Sequence, residues 1–189
     1  MPDRIHWNAE GVIKTVCKVL SSGGIIVYPT DTLYGFGCDA KNEIAIQKLN
    51  KIKNRRGPIS VLAPSKKSVS DWLSIPQKYK NEVLEKIGGP KTVIVPIKTG
   101  IVSKNIIANN NTLGIRIPDH PFCHKISNTY ENPITTTSVN RTGREPLFDP
   151  DLIEHEFHNE IELIIEDGII KGIGSSILFF EELKWKVLR

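Results

Sequence analysis

The chain of 189 residues is poor in cysteine and has a single methionine, and no stretch approaches the roughly 18 apolar residues of a membrane span. Cys17, Cys38 and Cys123 are odd in number, far apart and without a CxxC pair, which argues against a disulfide framework or a zinc ribbon and for reduced thiols in a cytoplasmic protein. Residues 1–7 lack the apolar core of a signal peptide. The Walker A pattern is missing, and Gly35-Phe36-Gly37 lacks the third glycine of a dinucleotide fingerprint. His155-Glu156-Phe157-His158 is not HExxH, and His120, Cys123 and His124 follow one another where a capped amphipathic helix accounts for them, so no metal ligands are assigned. A formal charge of +4 suits a phosphate-bearing ligand but is too small to identify a nucleic-acid binder.

What the chain does have is 39% hydrophobic residues, enough for one sizeable core, and a mixed succession of elements. Asn8 is placed to cap a helix carrying Val12, Ile13, Val16, Val19 and Leu20, which Gly23 and Gly24 end. A buried strand over 25–28 opens into the hydroxyl- and glycine-rich loop 30–37. Asn42 starts a second helix that ends at Lys53, Arg55 and Arg56. A strand is predicted over 59–63 and helices over 66–73 and 77–87, the latter with Pro76 in its first turn. Short β-rich segments follow at 92–97, 112–117, 134–137, 163–165, 176–180 and 184–188, and 140–150 has the composition of a loop. A mixed α/β sheet with helices packed on it is the expectation.

Three groups of residues could carry chemistry. Lys53, Arg55 and Arg56 form a cluster of donors at a helix end, where they could equally complement the helix dipole. In Gly114-Ile115-Arg116-Ile117-Pro118 the alternation turns Arg116 away from Ile115 and Ile117, so it needs an anionic partner: a surface acid, or a ligand carboxylate or phosphate. Thr135-Thr136-Thr137-Ser138-Val139-Asn140 offers hydroxyls and an amide at a strand end, as a ligand site would, but so do ordinary edge strands.

Together these groups say more. The block Tyr28-Pro29-Thr30-Asp31-Thr32-Leu33-Tyr34-Gly35, then Lys53-x-Arg55, then Gly114-Ile115-Arg116-Ile117-Pro118, then Ser138-x-Asn140, resembles the YrdC/TsaC family over residues 23–189. The resemblance implies an open, twisted mixed α/β sheet with flanking helices, YrdC/RibB-like, around a large concave basic cavity, in a short form with a single domain over 1–189. It implies an ATP-dependent nucleotidyltransferase that makes L-threonylcarbamoyladenylate from L-threonine, bicarbonate and ATP, with Mg²⁺ carried by the ATP and pyrophosphate released. The product would pass to a transferase complex that modifies adenosine 37 of tRNA. By the same resemblance Thr32, Arg116, Thr136 and Ser175 would bind threonine. Lys53, Arg55, Thr112, Ser138, Asn140 and Arg189 would surround ATP, with Lys53 and Arg55 catalytic.

The chain departs from the family's usual residues at Arg56, Ile59-Ser60, Thr137 and Ser176. A non-catalytic RNA-binding relative, with weak affinity for tRNA or duplex RNA, is the competing reading. A carbamoyl-adenylate site of the HypF kind is a third, although the extra domains and zinc-finger cysteines of such proteins are not in this sequence.

Overall fold

A computed structural model describes all 189 residues, apart from the side chain of Asn109. Ten strands make one mixed sheet: β1 (Asp3–His6), β2 (Ile26–Tyr28), β3 (Gly35–Gly37), β4 (Ser60–Leu62), β5 (Lys91–Pro96), β6 (Thr112–Arg116), β7 (Ile134–Ser138), β8 (Leu163–Glu166), β9 (Ser176–Glu181) and β10 (Lys184–Val187). Their order across the sheet is β1-β8-β2-β3-β7-β4-β6-β5-β9-β10. The helices are α1 (Val12–Ser21), α2 (Glu43–Lys53), α3 (Lys66–Trp72), α4 (Gln77–Lys86), α5 (Pro121–Thr129) and α6 (Pro150–Phe157). Among the described residues no helix is long and apolar enough to cross a membrane.

Strand alternation divides the apolar residues between two cores. On β2, Val27 joins the larger core while Ile26 and Tyr28 join the smaller; on β8, Ile164 goes one way and Leu163 and Ile165 the other. Runs apolar at every position are what a strand covered on both faces requires. Val12, Val16 and Leu20 of α1 and Phe122, Cys123 and Ile126 of α5 fill the smaller core. The larger core joins α2, α3, α4 and α6 to the sheet, with Phe36 and Phe157 edge to face at 5.0 Å.

In the half formed by β7, β4, β6 and β5 one face is covered by the larger core, and on the other only Leu62 of β4 and Ile134 of β7 reach the smaller core. Leu113 and Ile115 of β6, Val93 and Val95 of β5 and Val61 of β4 are buried in the larger core. The alternate residues Thr112, Gly114 and Arg116, Thr92 and Ile94, and Ser60 line an open concavity instead. Close approach demands the glycine in β6, since a Cβ at Gly114 would lie 2.3 Å from Ser60 Oγ.

Several expectations need correction. Asn8 does not cap α1: its side chain meets His6 Nδ1 at 2.6 Å, and Gly11, at φ 75°, occupies the N-cap position. Residues 35–37 are a strand rather than loop, and glycine is needed there because a Cβ at Gly37 would come within 2.7 Å of the Tyr28 ring. Pro76 is the N-cap of α4, one residue ahead of its first turn. Strand β1 and helix α6 were not expected from the pattern. Asn42 does cap α2, accepting a hydrogen bond from Ala45 N at 3.0 Å.

Candidate functional site

The concavity has a volume of about 1160 Å³ and is walled by β4–β7, the loop after β2, the end of α2, loop 140–148 and segment 171–175. It exceeds the roughly 300–1,000 Å³ of ordinary small-molecule sites, so it has room for two substrates together. All ten residues singled out from the sequence line it: Thr32, Arg116, Thr136, Ser175, Lys53, Arg55, Thr112, Ser138, Asn140 and Arg189. Its charged lining is Lys53, Arg55, Arg116, Lys171 and Arg189 against Glu145, a strong bias towards anions.

At one end β6 carries Arg116 inward, 7% exposed. Its Nη2 donates to Asp31 Oδ1 at 2.8 Å and to Thr32 Oγ1 at 3.1 Å, while its Nε is buried with no acceptor. The anionic partner that alternation demanded is therefore an acid within the fold, not on its surface. Thr30 Oγ1 accepts from Thr32 N and Leu33 N and donates to Leu33 O, which curls the loop so that Asp31 and Thr32 both reach the guanidinium. Thr136 and Ser175, each 6% exposed, complete this end. Ser175 Oγ pairs with Thr92 Oγ1 at 2.7 Å, and Gly172 lies so close to Thr32 that a Cβ on it would fall 1.8 Å from the Thr32 carbonyl oxygen.

At the other end Lys53, the last residue of α2, is 3% exposed. Its Nζ donates to Ser138 O at 2.7 Å and to Asn140 Oδ1 at 2.6 Å, and Ser138 Oγ donates to the same Asn140 oxygen at 2.7 Å. Burial, with Arg55 close by, brings the Lys53 ammonium down to a pKa of about 8. The left-handed Asn54, at φ 51°, ends the helix and sends Arg55 into the open. Arg189 enters from beyond β10 on the Ser175 side of the cavity, its Nε donating to Ser175 O at 3.0 Å. Of the departures noted in the sequence, Ile59, core-buried at 2% exposure, and Ser60 both border the cavity.

Sequence reasoning missed Thr92 and Lys171, and gave no role to Asp31, although it lies in the motif block, or to Gly172. His120 Nδ1 accepts from Phe122 N as the cap of α5, and its Nε2 faces Asp167 Oδ2 at 3.2 Å. No group of three or more metal-ligating side chains occurs among the described residues.

A buried arginine with an unused donor at one end and a lysine–arginine pair at the other define a site for two anionic partners on an open mixed sheet. The chain belongs to the Sua5/YciO/YrdC family, described as "Telomere recombination", whose profile matches residues 18–189. It is 32% identical to a threonylcarbamoyl-AMP synthase of Vibrio campbellii over 155 residues, 79% of this chain and 83% of that one. Among solved structures it resembles E. coli YciO (TM-score 0.89, 21% identity, 100% of this chain and 94% of that one). It also resembles P. abyssi Sua5 complexed with L-threonine (TM-score 0.87, 24% identity, 100% of this chain), of which it spans 57%.

Proposed function

We propose that this chain, as a single YrdC-like domain over 1–189, is a threonylcarbamoyl-AMP synthase. It joins L-threonine, bicarbonate and ATP, releases pyrophosphate and supplies the activated threonylcarbamoyl group for tRNA modification by a separate transferase complex. One observation carries the reading: a single cavity has an arginine-based carboxylate anchor at one end and a lysine–arginine phosphate cradle at the other.

The chemistry asks for this layout. A carbamate oxygen on threonine attacks the α-phosphorus of ATP as pyrophosphate departs, so two anions must be held in contact while charge shifts to the leaving group. Arg116 takes the threonine carboxylate through donors that Asp31 and Thr32 leave free. Thr32, Thr136 and Ser175 present hydroxyls to the substrate hydroxyl, which discriminates against an apolar analogue better than shape does. Lys53 spends two of its three N–H donors on Ser138 and Asn140 and aims the third at phosphate, joined by Arg55 and Arg189. Thr112, Ser138 and Asn140 form the remaining polar wall around ATP. The only carboxylate on the cavity wall among the described residues is Glu145, so the residues present fit a Mg²⁺ ion held chiefly by the triphosphate and water.

The burial of Arg116 and Lys53 sets this reading apart from an RNA-binding module, whose cations must reach a polymer backbone from the surface. The test is pyrophosphate release by the purified protein with ATP and bicarbonate, with and without L-threonine. Release that depends on threonine, with threonylcarbamoyl-AMP seen by mass spectrometry, is expected; equal release without any amino acid sinks the reading.

A further inference from the structure

A guanidinium has five N–H donors, and how a protein spends some of them decides where the rest point. In Arg116, Nη2 is spent on Asp31 Oδ1 and Thr32 Oγ1, and Nε is buried without an acceptor. A buried donor with no partner costs on the order of 1–3 kcal/mol, and a ligand oxygen that satisfies it recovers that cost.

Asp31 is not part of the cavity wall. Its side chain is 11% exposed, and both oxygens are used. Oδ1 accepts from Arg116 at 2.8 Å and Oδ2 accepts from Asp119 N at 3.0 Å, one residue ahead of the His120 cap of α5. The carboxylate thus bridges the end of β6 to the start of α5 from behind the site. A water-exposed ion pair would do little for orientation, but this one is desolvated on both sides, the arginine side chain being 9% exposed.

We propose that Asp31 is a positioning residue for substrate binding. By clamping Nη2 from outside the cavity it fixes the plane of the Arg116 guanidinium so that the unspent donors meet the carboxylate of the amino-acid substrate. The proposal rests on Arg116 being the carboxylate anchor. It makes a distinction that a merely stabilising ion pair does not: losing Asp31 harms amino-acid binding and spares ATP, although it also removes a negative charge that competes with the substrate for the same cation.

The experiment compares the full chain with Asp31→Asn, which keeps one acceptor, and Asp31→Ala, which keeps neither. First, the Nε–H resonance of Arg116, identified by its loss in Arg116→Lys, is followed by NMR without substrate. Slow exchange and a single position are expected in the native chain, and fast exchange or averaging in Asp31→Ala. Second, calorimetry gives L-threonine and ATP affinities separately. Threonine affinity should fall at least about tenfold in Asp31→Ala and less in Asp31→Asn, with ATP affinity unchanged within about twofold.

An unchanged Nε–H resonance overturns the proposal, as does tighter threonine binding or an equal loss for both ligands. If Asp31→Ala does not fold, Asp31→Asn carries both readouts. If the native chain binds no threonine, it is the functional reading that fails, while the NMR result still decides whether Asp31 holds the guanidinium.

Discussion

The two ends of the cavity are built differently. Thr32, Arg116, Thr136 and Ser175 are all 5–7% exposed, and Arg116, Thr136 and Thr32 are set by strands or by a loop locked through Thr30. At the other end only Lys53 and Thr112 are buried; Arg55, beyond the end of α2, is exposed, and Ser138, the last residue of β7, and Asn140, in the loop after it, are half-buried. A buried, hydrogen-bonded group is oriented before the ligand arrives, whereas an exposed cation must be ordered by it. The amino-acid end should therefore act through geometry, and the phosphate end through charge.

Arg116→Ala gives the largest effect. Removing one partner of a desolvated charge pair should weaken L-threonine binding about 300-fold, or roughly 3.5 kcal/mol, with ATP affinity within about twofold of native. It also leaves Asp31 buried and unpaired, so urea unfolding should show about 3 kcal/mol less stability. Calorimetry with each ligand separately checks the first part. Equal losses for threonine and ATP would break the division between the two ends.

The next effect is smaller and of another kind. Arg55→Ala removes an exposed cation, so the KM for ATP should rise about tenfold at low salt, and that difference should shrink as ionic strength is raised past about 0.15 M. Threonine affinity should not move. A penalty that persists unchanged in high salt would show that Arg55 works as an oriented donor and would erase the contrast.

The same contrast explains what could be read in advance. The alternation in Gly114-Ile115-Arg116 placed Arg116 opposite the core because a strand has only two sides, and Asn42 was legible as a cap because capping is local. The partner of Arg116 was not, since Asp31 lies 85 residues away and only the fold brings them together. Strand β1 was invisible for a related reason. Asp3-Arg4-Ile5-His6 has one apolar residue, and its pairing to β8 is made by backbone and by Arg4, which meets Glu166 and Asp151. At 35–37 two glycines read as loop, yet Gly37 is there because a Cβ on it would come within 2.7 Å of the Tyr28 ring.

The smallest predicted effect concerns Lys53, the one cation of the phosphate end that is buried. Its pKa is lowered from the ordinary value near 10.5 to about 8, chiefly by burial and secondarily by Arg55. Below pH 8 the ammonium is charged in both folded and unfolded chains, and the full cost of burying it weighs on the fold. Between about pH 8 and 10.5 the unfolded chain holds the proton that the folded one has released, so this group makes stability rise with pH. Phosphate binding must respond in the opposite sense, because the charge that attracts it is disappearing. From pH 7 to pH 9 the affinity for ATP alone should fall about fivefold while urea unfolding shows no matching loss of stability. In Lys53→Met the pH dependence of ATP binding over this range should flatten. A profile in Lys53→Met as steep as the native one would assign the titration to another group and leave the phosphate end without a buried member that acts through charge.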